Sequence, residues 1–569
     1  MKQVLSYLRP QAGRTVLQVV IKFTATLLEL FLPWILEHII DEVAPTGDKR
    51  QLLLWGALMA LCALSVFGGA VIANRMAAKI ASNFTRSLRH ALFRKVTVLS
   101  SEQVDRFTVP SLISRLSSDT YHLNDMVDRM LRLGIRAPIL LVGGLLVSAM
   151  MEPALALVFL CALPVIGGML LFISRRSIPL YAKAQQAGEE LVRRIQENMT
   201  GVRIIKALSR TEDEKERFAK ANENAVRADR QAETTMAVAN PAMGVLLNIG
   251  MATVIVVGAF RVDRGLTEPG KIIAFLNYFV ILQNGLLGIT RIFTICSRGI
   301  ASGKRLGEVL AAPERTAPPP PAMPAPQGHV VFSHVSFSYN KVKPDLNDLS
   351  FTLARGQTLG VIGPTGSGKS TLLQLLLRFY EPDQGHIWLD GHPLSQLSEQ
   401  EIHRQFGVVF QNDFLFADAI LENLDFERPI SKEDRDLAVD TAQAGFLRDL
   451  PEGQWGDLSE RGMNLSGGQR QRLLIARALA AKPEILLLDD CSSALDYRTD
   501  AQLRAALQQA YADTTKIIVA QRISAIRHAD LILVLEEGRT LGLGTHEELL
   551  NSCPLYKALY EMQMGEAAA

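Results

Sequence analysis

Unbroken apolar runs crowd the first half of the chain, and short alternating ones replace them in the second. Six long runs can be placed, at roughly 15–40, 52–74, 135–151, 154–173, 237–260 and 272–295, each near the ~20 residues that let a helix cross a bilayer. Lys22, Glu29 and Glu37 interrupt the first. A very short turn at Glu152-Pro153 separates the third from the fourth. Three connections are short, whereas 75–132 and 175–233 are long, charged and poor in glycine, which predicts helices running on past the membrane. Both are basic next to the spans, with Arg75, Lys79, Arg86 and Arg89 in one and Arg175, Arg176, Arg193 and Arg194 in the other. Basic residues beside spans mark the cytoplasmic side. The long connections and both chain ends are therefore expected in the cytoplasm, and the short loops outside.

A helical tail follows the last span to about Leu310, and then the composition breaks. Pro313, the run Pro318-Pro319-Pro320-Pro321, Pro324 and Pro326 stiffen an extended linker. From His329 onward, short apolar strands alternate with helices, an α/β signature. The expected organisation is a transmembrane domain at 1–310, a Pro-rich linker at 311–328 and an α/β domain at 329–569, with no internal repeat.

Composition changes this picture little. The 569 residues are 48% hydrophobic, and 60 basic against 58 acidic residues leave a net charge of +2. That balance gives no support to a nucleic-acid partner. Cys62, Cys161, Cys296, Cys491 and Cys553 lack metal-ligand spacing and are expected as reduced, structural thiols. Residues 1–11 have neither the compact apolar core nor the cleavage site of a signal peptide. They are expected to lead into the first span as an interfacial helix.

The chemistry is concentrated in the α/β part. A strand from Thr358 to Ile362 runs into Gly363-Pro364-Thr365-Gly366-Ser367-Gly368-Lys369-Ser370-Thr371, and the helical 372–377 follows. This is the phosphate-binding loop pattern between a strand and a helix. Its glycines let backbone N–H groups wrap phosphates, and the helix N-terminus adds positive potential. Lys369 brings a point charge to the outer phosphates of ATP, and Ser370 brings a hydroxyl to Mg2+. Downstream, the apolar run 484–488 ends in Asp489, a carboxylate suited to the same Mg2+.

Between these two elements stands Leu465-Ser466-Gly467-Gly468-Gln469, the signature of ATP-binding cassette proteins. On these motifs the whole chain resembles a half-size ABC exporter of the multidrug, lipid and peptide group. The resemblance implies a membrane α-helical bundle of six transmembrane helices with long cytoplasmic extensions, plus an α/β P-loop NTPase cassette. Further positions are carried over one by one. Tyr339 matches the aromatic that stacks on adenine. Gln411 matches the glutamine that touches Mg2+ and the membrane domain. Glu460-Arg461-Gly462 resembles the exporter X-loop, and Ser493-Ala494-Leu495-Asp496 the D-loop. The segments 112–116 and 197–203 resemble those flanking the two coupling helices that press on the cassettes.

Two positions depart from the family. Asp490 stands where a catalytic glutamate orients the attacking water, and Gln521 stands where the switch histidine belongs. In ABC dimers each ATP lies between one cassette's phosphate loop and the other's signature. The combination resembles the degenerate-site subunit of a bacterial heterodimeric exporter, whose partner, a second half-transporter, carries the Glu and the His. A homodimer with two slow ATPase sites and an ATP-gated channel or regulator are the alternatives. The expected cargo is a small molecule, lipid or peptide of hydrophobic or amphipathic character. A dedicated peptide-processing exporter is disfavoured, because no peptidase domain precedes the first span. Asn248, Asn277, Gln283, Asn284 and Arg291 either line a path through the lipid membrane or hydrogen-bond between helices. The bacterial plasma membrane is the expected location.

Overall fold

The computed structural model describes residues 1–313, 326–450 and 456–565. Of the Pro-rich linker expected at 311–328, residues 314–325 lie outside the described residues. The chain divides into two compact units: Met1–Val98 with Thr108–Ala312, and Leu99–Phe107 with Pro313–Ala569.

The first unit is helical. Its six runs long and apolar enough to cross a membrane are Gln3–Thr46, Lys49–Val96, Val109–Met151, Pro153–Thr200, Thr211–Asp263 and Pro269–Leu310. The helix Lys49–Val96 has 48 residues and is therefore about 72 Å long, more than twice the ~30 Å of bilayer hydrocarbon. The long charged connections are thus continuations of the spans. Local chemistry sets the ends. Asp48 caps the second run by accepting from Arg50 N at 2.8 Å, and Pro153 opens the fourth at a position where a missing N–H does no harm. Asp41 accepts from the backbone N–H groups of Gly270 and Lys271, at 2.6 and 3.1 Å, and so caps the last run.

Two of the three charges that interrupt the first span, Lys22 and Glu29, are paired inside the unit. Glu29 takes both arms of the Arg136 guanidinium, at 2.6 and 3.1 Å. Lys22 is 5% exposed and reaches Asn74 Oδ1 at 3.4 Å. The buried Gln18 donates to the Leu131 carbonyl at 2.9 Å. Two of the polar residues weighed for a path behave differently. Asn248 and Asn277 are exposed and donate to carbonyls one turn back in their own helices, Gly244 and Ile273. They do not tie one helix to another. Asn284 and Arg291 are exposed too, and Gln283 is half-buried.

The second unit holds two sheets. An antiparallel one has the order β2-β1-β4-β5, with β1 Val330–Phe337, β2 Leu346–Leu353, β4 Gln384–Leu389 and β5 His392–Pro393. The other has the order β10-β9-β3-β8-β7-β6, with β3 Thr358–Ile362, β6 Phe406–Val409, β7 Ile485–Asp489, β8 Thr515–Val519, β9 Leu531–Glu536 and β10 Arg539–Gly544. Strands β9, β3, β8, β7 and β6 run parallel. Their near-continuous apolar sequences suit strands covered on both faces, and every residue of β7 is buried.

The Glu29–Arg136 fork yields a test of the membrane unit. Removing one member leaves an unpaired charge among packed helices, which is worse than removing both. Glu29→Gln is expected to lower the unfolding temperature of the detergent-solubilised protein by several degrees. The double variant Glu29→Leu/Arg136→Met is expected to lower it less, as followed by intrinsic fluorescence on heating.

Candidate functional site

Parallel pairing brings three distant stretches to one edge. Val361 of β3 lies level with Val519 of β8, and Val519 lies level with Asp489 of β7. The carboxyl ends of these neighbouring strands therefore carry the phosphate loop, the Asp489-Asp490 pair and Gln521 side by side. Ligands of open α/β sheets bind at such edges. The turns are pinned by backbone bonds: Asp490 N donates to the Val519 carbonyl at 2.9 Å, and Ala520 N to the Val361 carbonyl at 3.0 Å.

The loop has the form that anion binding requires. Pro364, Thr365 and Gly366 form an exposed tip, and Gly363 is half-buried below it. Gly368 has φ +98°, and a Cβ there would lie 2.6 Å from the Leu346 side chain and 2.7 Å from the Asp345 carbonyl. Only glycine fits. The helix Lys369–Leu376 starts next, with Thr371 buried in its first turn. Lys369 Nζ spans the loop, donating to the carbonyls of Gly363 and Pro364 at 2.9 and 2.8 Å. Ser367 Oγ is buried without a hydrogen-bond partner among the described residues, a hydroxyl left over for a ligand.

The electrostatics point the same way. Burial pushes the Asp489 carboxyl up from its ordinary range, against a hydrogen bond from Ser370 and the charge of Lys369. Burial lowers Lys369, against Asp489 and Asp490. Asp490 is raised by burial and by the neighbouring Asp489, against Lys369 and Arg522. A hydroxyl, two carboxylates and a half-buried ammonium beside an orphaned hydroxyl fit a phosphate chain with a divalent cation, and Ser370 with Asp489 would hold that cation.

Asp490 and Gln521, the two departures from the family, touch. Gln521 Nε2 donates to Asp490 Oδ2 at 2.8 Å. Asp490 itself has φ +49°, a left-handed backbone that Asp tolerates better than most residues. Tyr339 stands at the far end of the loop helix, its hydroxyl donating to Gln374 Oε1 at 2.7 Å and its ring edge-on to Tyr380 with centroids 5.0 Å apart. Gln411 follows β6, is exposed, and has no hydrogen-bond partner among the described residues.

The signature is built separately. Ser466 caps the helix Gly467–Ala480 in a reciprocal box with Gln469. A Cβ on Gly468 would lie 3.3 Å from the Ala494 carbonyl, so the signature abuts the D-loop. Leu465 belongs to a hydrophobic cluster different from the one under the phosphate loop.

Sequence reasoning expected two coupling helices next to 112–116 and 197–203 without placing them, and it missed Gln563. The short helix Ser101–Phe107 falls in the cassette's unit, where the Tyr380 hydroxyl donates to Asp105 and Gln103 Nε2 donates to the Pro313 carbonyl at 2.9 Å. Its basic and acidic residues read as solvated surface. The second long connection carries a matching short helix, Val202–Ala207, entered through Gly201. Gln563 of the C-terminal helix hydrogen-bonds the loop that holds Gln521.

Comparison with known proteins identifies this architecture. Residues 15–286 match the ABC transporter transmembrane region and residues 346–493 match the ABC transporter family. The chain is 33% identical to the ABC transporter ATP-binding protein YfiB of Bacillus subtilis over 99% of both chains. It is 30% identical to an ATP-dependent lipid A-core flippase of Xylella fastidiosa over 95% of this chain and 92% of the other. It is 31% identical to a fatty acid ABC transporter ATP-binding/permease protein of Mycobacterium bovis over 88% of this chain and 79% of the other. A bacterial Atm1-family ABC exporter with ATP bound superposes with a TM-score of 0.82, at 25% identity and 98% coverage of both chains. The chain belongs to the ABC transporter family. It is a half-size exporter, a multi-pass membrane protein that hydrolyses ATP to drive transport.

Gly368 and Lys369 separate shape from charge at this site. Gly368→Ala forces a strained φ and a clash, expected to cost about 1–3 kcal/mol and to lower the cassette's unfolding temperature along with its ATP affinity. Lys369→Met is expected to leave unfolding unchanged and to weaken ATP binding at least tenfold, read by displacement of a fluorescent nucleotide.

Proposed function

We propose that this chain is the nucleotide-retaining subunit of a two-chain exporter of amphipathic compounds. The hydrogen bond between Gln521 and Asp490 carries the reading. An aspartate carboxylate is drawn back from the attacking water by about 1–1.5 Å relative to glutamate, and misplacement near 1 Å can cost ~100-fold in rate. Here that shortened carboxylate also accepts from the Gln521 amide, which occupies one of its oxygens. Glutamine is neutral and lacks the switchable charge of histidine. Hydrolysis at this site is slow, and binding is kept.

In this reading Tyr339 stacks on adenine, and Gly363 to Thr371 wrap the phosphates, with Lys369 on the outer ones. Ser370, Gln411 and Asp489 hold Mg2+, whose charge offsets that of the phosphates. Asp490 is the weak base and Gln521 the weak switch. Ser466, Gly467, Gly468 and Gln469 complete the site of a second, different half-transporter, which carries the Glu and the His. The membrane domain occupies 1–310 and the cassette 329–569. The protein sits in the bacterial plasma membrane with the cassette and both chain ends in the cytoplasm. Closure of the two cassettes on ATP selects the outward state of the spans, a population shift driven by differential nucleotide binding. An amphiphile such as a lipid suits the relatives named for lipid A-core and fatty acid.

Purification from the native membrane tests the pairing, because a distinct half-transporter is expected to come along with this chain. In that complex, Asp490→Glu with Gln521→His is expected to raise ATP turnover several-fold, and Asp490→Ala to change it little. A chain that purifies only with itself and turns over ATP at full rate, lost in Asp490→Ala, would sink the proposal in favour of a homodimer.

A further inference from the structure

The loop after β8 is held from two sides. Ahead of it, the Gln521 side chain reaches Asp490. Behind it lies the C-terminal helix Pro554–Gly565. One side chain of that helix, Gln563, makes both contacts. Its Nε2 donates to the Gln521 carbonyl at 2.9 Å, and its Oε1 accepts from Ile523 N at 2.8 Å. Ile523 opens the short helix Ile523–Ile526, so this N–H has no partner within the helix. A single amide therefore satisfies the donor and the acceptor on either side of Arg522. No other side chain of this size carries both functions in one plane at the right spacing.

The clamp is anchored and connected. The C-terminal helix is seated by Tyr556, which is 0% exposed, packs with Ile523 and Ile526, and bonds His546 Nδ1 through its hydroxyl at 2.8 Å. Arg522, between the clamped residues, lies over the Tyr497 ring at 5.2 Å. Tyr497 directly follows Asp496, the cap of the helix after the D-loop. The amide of Gln563 thus fixes the backbone whose side chains face Asp490 on one side and the D-loop helix on the other.

We propose that Gln563 is a positioning residue for the ATP site: it sets the backbone of the switch loop, and through it the Gln521–Asp490 contact, so that the C-terminal helix governs how long ATP is held. The proposal rests on the reading of Gln521 as the switch-position residue. A purely structural role would tie down the C-terminal helix and nothing more.

A double-mutant cycle distinguishes the two. The full-length chain is purified in lipid nanodiscs, and the release rate of pre-bound ATP is measured for wild type, Gln563→Met, Gln521→Ala and the double variant. Gln563→Met is expected to speed release about fivefold, with the cassette's unfolding temperature within two degrees of wild type. Gln521→Ala is expected to do the same, and the double variant to be no faster than either single one. Gln563→Glu, nearly isosteric, keeps the acceptor for Ile523 but loses the donor to Gln521. It is expected to speed release as Met does, and it replaces Met should that variant fail to fold. If Gln521→Ala speeds release and neither Gln563 variant does, the clamp is overturned and the reading of Gln521 stands. If Gln563→Met speeds release equally with and without Gln521, the route through Gln521 is overturned. If Gln521→Ala changes nothing, the role of Gln521 and the clamp fall together.

Discussion

The register of three parallel strands is the constraint on which the site depends. Backbone hydrogen bonds between β3, β8 and β7 put Val361, Val519 and Asp489 at one level. Every chemical group of the site is then hung on the next few residues. The phosphate loop leaves β3 one residue beyond Val361, Asp490 leaves β7 at once, and Gln521 follows β8 by two. A slip of one residue in any pairing would turn each following side chain to the opposite face. The fully buried β7, apolar up to its terminal Asp489, resists such a slip, since any other register would put its flanking Glu484 or Asp490 into the core. The hydrophobic core thereby sets the distance between a carboxylate and a phosphate loop that are far apart in sequence.

The membrane unit obeys a different rule. A charge within a span is costly in lipid, and a protein partner offsets part of that cost. Glu29 has one in Arg136 and Lys22 in Asn74. These contacts join the first span to the third and second, and they are specific in a way that leucine against leucine is not. Apolar packing allows helices to slide or rotate. A two-pronged guanidinium–carboxylate contact does not.

Much of this was legible in the sequence, for identifiable reasons. The spans follow from length and hydropathy, and the 48-residue helices from charged, glycine-poor connections. The tight turn before the helix at Lys369 follows from its glycines, and Gly368 has a φ of +98° that favours glycine. The signature shows as a helix cap, Ser466 with Gln469. Other features left no mark. Tyr380 against Asp105 depends on a helix of the first long connection lying in the cassette's unit. Gln563 is one amide on an otherwise ordinary amphipathic helix, and no local pattern tells a clamping glutamine from a solvated one. The Gln521–Asp490 hydrogen bond requires knowing that β7 and β8 are neighbours, which is a property of sheet order rather than of either segment.

That hydrogen bond changes how the two departures are to be understood. Under the proposed function each, taken singly, is a loss: a carboxylate too short, and a side chain without a titratable ring. Taken together, they are complementary. The amide of glutamine carries a donor that a carboxylate wants, and at 2.8 Å it meets one. The Asp490 carboxyl is raised by burial and by Asp489, against Lys369 and Arg522, as befits a carboxylate poorly solvated. A neutral donor relieves part of that cost without bringing a proton that could be passed on. The contact engages one oxygen of Asp490, Oδ2. A longer carboxylate at 490 with Gln521 unchanged would press against the amide that now faces it. The two positions behave as one choice, made jointly, between a carboxylate aimed at water and a carboxylate held by its neighbour.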